Sequence, residues 1–149
     1  MLKFMTKSCP NGCSWAEAVS MCKKYAGKLT EGPDFQFLRN IAKGLKMTTN
    51  WWIGFSDSET TGTYVRESDG KEVNLTKYFA SGEPSSKTEH CLEMRDNLDM
   101  KLNDRNCDIT GWNTFQPLCQ KSLATKNQGI SFTIVLFGLI CIWVYYKQH

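Results

Sequence analysis

Residues 83–107 read EPSSKTEHCLEMRDNLDMKLNDRNC, and this stretch decides the fold and the function of the chain. Its oxygen-bearing side chains fall into two short clusters, which a disulfide between Cys91 and Cys107 would hold together. The clusters contain Glu83, Ser85, Glu89, Asn103 and Asp104. Calcium prefers a shell of carboxylate, carbonyl and hydroxyl oxygens. The stretch therefore predicts a partial shell for one Ca²⁺, with outer positions left for ligand hydroxyls.

Length, charge and cysteine content limit the class of protein. The 149 residues suffice for one compact domain and an appendage. The net charge is only +3, and the basic residues are scattered, so nucleic acid is not expected as a partner. Seven cysteines in so short a chain indicate an oxidising compartment. Cys141 lies in an apolar run, and the other six cysteines allow many connectivities in principle.

The carboxyl-terminal region contains an apolar segment at 130–146 without a charged side chain. A helix of that length, at about 1.5 Å per residue, can just span a hydrocarbon core of about 30 Å. Trp143 and Tyr146 stand near one end, as interfacial aromatic residues do. We predict a polar stalk at 121–129, a transmembrane helix at 130–146 and a short tail at 147–149. A buried core helix and a lipid anchor are the alternatives.

The orientation of that segment is not settled by its flanking charges. Residues 1–8 contain no apolar stretch of signal-peptide length, and the flanking lysines mildly favour a cytosolic domain. The cysteines and the acceptor sequence Asn74-Leu75-Thr76 favour an extracellular one. We therefore predict an extracellular domain anchored in the plasma membrane and glycosylated at Asn74, with an incomplete or alternative amino end.

Local patterns predict two helices, several short strands and one long loop. Ser14 begins a helix that runs to Tyr25, with Glu17 at the capping-box position. A second amphipathic helix is predicted over 34–46. Residues 56–86 predict a long loop, of the kind that usually carries function. The predicted strands, in chain order, are 51–55, 64–65, 91–94 and 116–119.

In order and spacing, these pieces resemble the C-type lectin-like domain over residues 9–120. The resemblance is carried by Trp15, Ala18, Cys22, Gly27, Leu29, Trp52-Ile53-Gly54-Phe55, Gly62-Thr63-Tyr64, Gly82-Glu83-Pro84, Glu89, Cys91, Asn103-Asp104, Cys107 and Cys119. With the apolar segment included, the chain resembles a single-pass membrane C-type lectin. The resemblance implies an α+β double-loop fold, in which two helices flank small antiparallel sheets and a long loop region carries the ligand site.

The resemblance also implies a disulfide framework. It pairs Cys22 with Cys119 and Cys91 with Cys107. Longer family members carry a further pair that encloses the strand opening the domain. Here that pair would be Cys9 and Cys13, and only residues 10–12 intervene. A bridge between them is sterically possible, but we predict that the opening strand is missing.

In sugar-binding members of the family, one calcium is held by a Glu-Pro-Asn or Gln-Pro-Asp triplet, a Glu before the cysteine and a Trp-Asn-Asp. The resemblance therefore assigns the metal and the sugar hydroxyls to Glu83, Ser85, Glu89, Asn103 and Asp104. Pro84 matches a proline whose peptide bond is cis in the family. Ser85 replaces the expected amide or carboxylate, which weakens the calcium shell and leaves the sugar type open. Leu102 replaces the tryptophan.

The sequence thus favours a membrane-anchored, calcium-dependent lectin that binds glycans or glycoproteins. The alternative is a receptor of the same fold that binds a protein ligand without calcium. An enzyme is not expected, because no histidine is plausibly paired with a nucleophilic serine or cysteine.

Overall fold

The computed structural model describes residues 2–6, 9, 11–32, 35–44, 49–110, 115–122 and 144–146. Within these ranges two α-helices and two short 3₁₀ turns, Thr76–Tyr78 and Asp96–Leu98, accompany one eight-stranded sheet. The helices are α1 (Trp15–Lys24) and α2 (Phe35–Gly44). The strands are β1 (Leu2–Thr6), β2 (Lys28–Leu29), β3 (Asn50–Ser56), β4 (Val65–Arg66), β5 (Cys91–Arg95), β6 (Lys101–Arg105), β7 (Phe115–Ser122) and β8 (Val144–Tyr146).

The sheet is mixed rather than a pair of separate antiparallel sheets. Its main order is β6-β5-β3-β7-β1-β8, with β2 added to β7 and β4 to β3. Most neighbours are antiparallel, but 50–52 of β3 run parallel to 115–117 of β7. This parallel pairing joins the strands that carry the ligand loops to those that carry the ends of the chain. The predicted α+β class is confirmed, and the predicted antiparallel arrangement is corrected at this one junction.

The opening strand that we predicted to be missing is present. It is β1, which pairs antiparallel with β7 so that Leu2 lies opposite Ser122 and Thr6 lies opposite Leu118. The resemblance places such a strand between the two cysteines of the extra pair, where only residues 10–12 intervene here, whereas β1 precedes both Cys9 and Cys13. Residues 2–6, predicted to lie outside the domain, are therefore part of its sheet.

The predicted transmembrane helix is wrong at its last residues. Val144–Tyr146 form β8, which pairs antiparallel with β1 and places Tyr146 opposite Leu2. Valine and tyrosine favour extended backbone, so this end of the apolar segment suits a strand. Residues 123–143, which include the predicted stalk and the rest of the predicted helix, lie outside the described residues. Among the described residues, no helix has both the length and the apolar character needed to cross a bilayer.

Both helices form where the sequence predicts them. At the start of α1 the Ser14 hydroxyl accepts the Glu17 N–H (3.3 Å), and the Glu17 carboxylate accepts the Ser14 N–H (2.8 Å). This confirms the predicted capping box. Ala18 and Cys22 on α1 are fully buried. α2 spans Phe35–Gly44 within the predicted 34–46.

The side chains of β3 separate two apolar clusters, because they alternate across the sheet. Trp51, Ile53 and Phe55 belong to the cluster that contains the buried residues of α2. Trp52 belongs to the cluster on the α1 side, where it stacks on Phe115 at 5.0 Å between ring centroids. Its indole Nε1 donates to the Cys13 carbonyl (2.7 Å). Each face of the sheet thus has its own core.

Three disulfides lie on the α1 side. Cys22 of α1 is bonded to Cys119 of β7, and Cys91 of β5 is bonded to Cys107, which follows β6. These are the pairs that the resemblance implies. Cys9 is bonded to Cys13, which closes a short loop before α1. All three bonds thus lie on the face of the sheet that packs against α1.

Candidate ligand-binding site

The long loop between β3 and β5, residues 57–90, is held by backbone hydrogen bonds and by side-chain oxygens that accept backbone N–H groups. At its start the buried carboxylate of Asp57 accepts the Gly62 N–H (2.6 Å) and contacts His90 Nδ1 (2.9 Å). Further along, the Asn74 amide oxygen accepts the Thr76 N–H (3.1 Å). The predicted long loop is therefore ordered by polar contacts, with β4 as its one named strand.

Asp104 on β6 fixes the end of this loop. Its side chain is fully buried, and its two carboxylate oxygens accept the N–H groups of Ser85 (3.0 Å) and Ser86 (3.1 Å). The Glu83–Pro84 peptide bond just before them is cis, in agreement with the resemblance. Asp104 thereby holds the Glu-Pro-Ser segment against the sheet edge.

Glu83 stands beside other carboxylates without a donor for one of its oxygens. Its Oε2 is buried and has no hydrogen-bond partner among the described residues. Burial raises the pKa of Glu83, the neighbouring Asp104 and Glu89 raise that pKa further, and Ser85 lowers it. Negative charges brought this close repel each other unless a cation or a proton compensates them. Either a bound cation or a proton on Glu83 would relieve this repulsion.

Glu89 already has a positive neighbour. Its Oε1 lies 3.5 Å from Nη1 of Arg105, the last residue of β6. The Arg105 Nε is buried and has no partner among the described residues. A guanidinium here lowers the gain from placing a metal beside Glu89, because the two cations would repel each other.

Asn103 is the predicted ligand that the structure does not bring to this cluster. Successive side chains of a strand point to opposite faces, and Asn103 precedes Asp104 on β6. Asn103 is 2% exposed, and its Nδ2 donates to Glu93 Oε1 (3.0 Å) and to the Asp104 carbonyl (2.6 Å). The structure thus gathers Glu83, Ser85, Glu89 and Asp104 and leaves Asn103 on the far face.

Sequence reasoning did not single out two residues near the site. Glu93 on β5 is fully buried, and burial raises its pKa to about 7, although Arg95, Arg105 and Asn103 lower it. An acid between Leu92 and Met94 in a predicted strand is a signal that could have identified it. Tyr64 is the second, because burial and the nearby charges of Asp57, Asp104 and Glu83 raise the pKa of its phenol.

The oxygen ligands of this cluster are of the type that calcium prefers, but they do not enclose a metal ion. Glu83, Glu89 and Asp104 are hard oxygen ligands of the kind calcium prefers, and the unpartnered oxygen of Glu83 is available to it. Across the part of the chain that the structure describes, however, no three acidic, histidine or cysteine side chains converge enough to enclose a metal ion. Asn103 does not fit, because its amide faces Glu93.

A cleft of about 310 Å³ adjoins this cluster on the side of Glu83 and Pro84. Tyr64, Asn74 and Phe79 are among its lining residues. Asn74 is exposed, so a glycan attached to it would start at the rim of the cleft. The lining of the cleft thus mixes aromatic rings with the carboxylate of Glu83, which it shares with the cluster.

The fold and these positions agree with a known family of binding domains. The chain matches the lectin C-type domain over residues 11–121, and it belongs to the C-type lectin domain family. It is 30% identical to perlucin from Haliotis laevigata over 113 residues, which are 72% of this chain. The chain spans 64% of the length of perlucin. The family is a binding fold without enzymatic activity.

Solved structures show the same fold at low sequence identity. The C-type lectin domain of murine dendritic cell inhibitory receptor 2, in complex with an N-glycan, superimposes with a TM-score of 0.66 at 18% identity, covering 82% of this chain and 91% of that one. A calcium-independent type II antifreeze protein superimposes with a TM-score of 0.63 at 18% identity, covering 81% and 86%. The fold is thus found both with a glycan ligand and in a protein that does not need calcium.

Proposed function

We propose that the chain is a calcium-dependent carbohydrate-binding domain whose metal is held by Glu83, Glu89 and Asp104, with the Ser85 hydroxyl as a weaker neighbour. The observation that carries the proposal is the buried Glu83 Oε2, which lacks a donor and lies near two further carboxylates. Bound calcium would supply open coordination positions for vicinal hydroxyls of a glycan.

The chain's own residues divide the remaining work. Asp104 holds the 83–86 segment through its two N–H acceptor contacts, so it orients Glu83 whether or not a ligand is bound. Ser85 offers a hydroxyl but no amide N–H, so it favours neither of the two sugar-type patterns of the family. Contacts of this shallow kind are weak singly and gain strength when several domains act together.

Calcium titration by calorimetry tests the proposal directly. We expect heat of binding in the wild-type domain, and its loss in Glu83→Gln and Asp104→Asn. Glu59→Gln is the matched control, because Glu59 is an exposed acid of the same loop outside the cluster. Retention on immobilised mannose or galactose that a chelator reverses completes the test. Absence of calcium heat at millimolar metal, with no chelator-sensitive retention, would overturn the proposal.

A second candidate function, calcium-independent binding of a protein ligand, is favoured by specific contacts. Arg105 neutralises part of Glu89, and the Asn103 amide is committed to Glu93. Part of the negative charge of the loop region is then compensated before any ligand binds. This candidate predicts ligand binding that survives chelation and is lost when loop residues such as Lys87 are changed, whereas the glycan proposal predicts loss on chelation.

We also propose that the domain acts outside the cell. Three disulfides in a small domain support an oxidising compartment. Asn74 is exposed and suits an acceptor site. Expression in mammalian cells, with and without Asn74→Gln, tests both points through a glycosidase-sensitive shift in mass. Attachment to the plasma membrane stays a prediction, and detergent extraction of the full chain would test it.

A further inference from the structure

A buried carboxylate on β5 fixes the orientation of the Asn103 amide. Glu93 is fully buried and lies opposite Asn103 in the antiparallel register of β5 and β6. On its other side it lies opposite Trp52 of β3. Its Oε1 accepts a hydrogen bond from Asn103 Nδ2 (3.0 Å). An acid in the middle of the sheet therefore faces the residue that the sequence predicts as a calcium and sugar ligand.

The contacts of Asn103 leave its amide no N–H group for a ligand. A side-chain amide has two N–H donors. Nδ2 donates to Glu93 and to the Asp104 carbonyl (2.6 Å), so both donors have acceptors inside the protein. Turning the amide over would place Oδ1 against the Glu93 carboxylate and leave two buried acceptors facing each other, which is costly. The carboxylate of Glu93 thus fixes the amide in one orientation.

We propose that Glu93 is a positioning residue that fixes the side-chain amide of Asn103 outside the ligand site. Strand alternation directs the Asn103 side chain to the far face of the sheet, Glu93 binds its amide there, and coordination is then left to Glu83, Glu89 and Asp104. The consequence for metal binding rests on the proposed function, whereas the orientation of Asn103 does not. Arg95, whose Nε lies 4.0 Å from Glu93 Oε1, and Arg105 supply the positive charge that accompanies this buried acid.

Hydrogen exchange of the Asn103 side-chain amide tests the orientation without calcium. In ¹⁵N spectra of the metal-free domain, we expect its two N–H signals to exchange slowly, and those of exposed Asn106 to exchange rapidly. Glu93→Met removes the acceptor and should speed exchange by about tenfold, as the loss of one hydrogen bond implies. Glu93→Gln keeps a carbonyl acceptor and should retain slow exchange. If Asn103 exchanges as fast as Asn106 in the wild type, the proposal is overturned.

A double-mutant cycle on calcium affinity tests the consequence. Asn103→Ala alone should change the calcium Kd by less than about twofold, because the amide is not in the shell. Glu93→Met frees the amide on the far face, so it too should change the Kd by less than about twofold, and adding Asn103→Ala should bring no further change. A tenfold loss from Asn103→Ala in the wild type would contradict the proposal. If no variant binds calcium while the exchange pattern holds, the calcium proposal fails and the positioning role of Glu93 stands.

Discussion

The α1 side of the domain and the 57–90 loop are stabilised in different ways. On the α1 side, Trp52, Phe115 and the disulfide-bonded cysteines form an apolar cluster. In the loop, carboxylates such as Asp57 and Asp104 accept backbone N–H groups. Substitutions on the α1 side should therefore change stability without changing ligand binding. In the loop, acids that face the ligand also support the backbone, so substitutions there should change both.

Buried acids also connect the two regions. Glu31 accepts the Ser68 N–H (2.8 Å) and hydroxyl (2.6 Å), and it pairs with Lys28. The backbone passes so close at Gly54 that a Cβ there would lie 2.7 Å from the Glu31 Cγ, so this position requires glycine. The Glu31 carboxylate thus attaches the loop to the sheet, and the lack of a side chain at Gly54 leaves space for it.

The largest effect is expected from the disulfide that closes almost the whole domain. Removing the Cys22–Cys119 bond, which spans 97 residues, should lower the free energy of unfolding by about 4.7 kcal/mol in the chain-entropy estimate. Removing Cys9–Cys13, which spans 4, should cost about 2 kcal/mol. Urea unfolding of the paired Cys→Ala variants measures both values. Equal losses would show that the α1 side does not depend on loop closure.

The next effect concerns aromatic packing. Trp52→Ala should cost about 3–5 kcal/mol, since it empties a fully buried site and removes the stack on Phe115. Tyr78→Ala is the matched change in the loop, where the ring is half-buried against Phe35 at 4.8 Å. We expect it to cost about half as much. Denaturant midpoints of the two variants measure the contrast. A larger loss of stability in Tyr78→Ala would show that the loop contributes more to stability than the α1 side.

The pH dependence of the metal-free domain should report Glu93. Burial raises its pKa from 4.5 to about 7, so between these values the folded protein keeps a proton that the unfolded chain has released. The stabilising contribution is complete below the window and is lost as pH rises through it. Between about pH 4.5 and 7 the wild type should lose up to about 3 kcal/mol that Glu93→Gln does not lose. Parallel pH profiles of the two proteins would contradict this.

The smallest global effect is expected at Asp57. Asp57→Asn weakens the contacts to Gly62 and His90, which costs about 1 kcal/mol. Amide exchange within 57–62 should accelerate more than exchange in β3, because the loop opens locally. If exchange in β3 rises equally, the loop and the sheet unfold as one unit.

The parts of the fold with strong local signals could be predicted. The capping box at Ser14 and Glu17 and the helical spacing of Ala18 and Cys22 lie within single turns, so the sequence alone indicates α1. β1 could not be identified this way, because its partner in β7 is more than a hundred residues away. Five residues without a core pattern carry no local mark of that pairing.

The order of motifs predicts which candidate ligands lie near one another, but not how each side chain is directed. Glu83, Ser85, Glu89 and Asp104 come together because the loop returns to the edge of β6, which the order of motifs indicates. Asn103 could not be placed, because its direction depends on which residue of β5 lies opposite it. Register between strands is a property of the folded sheet, which the local sequence around 103–104 does not reveal.

The pairing of β1 with β7 also determines how the domain can be joined to other proteins. Leu2 and Ser122 lie opposite each other on adjacent strands, and neighbouring strands lie about 5 Å apart. The chain therefore enters and leaves the domain at nearly the same point. A domain whose two ends lie this close together can be inserted into a surface loop of an unrelated host protein without stretching that loop. The lectin domain could therefore be displayed from within a scaffold as readily as from the end of the scaffold.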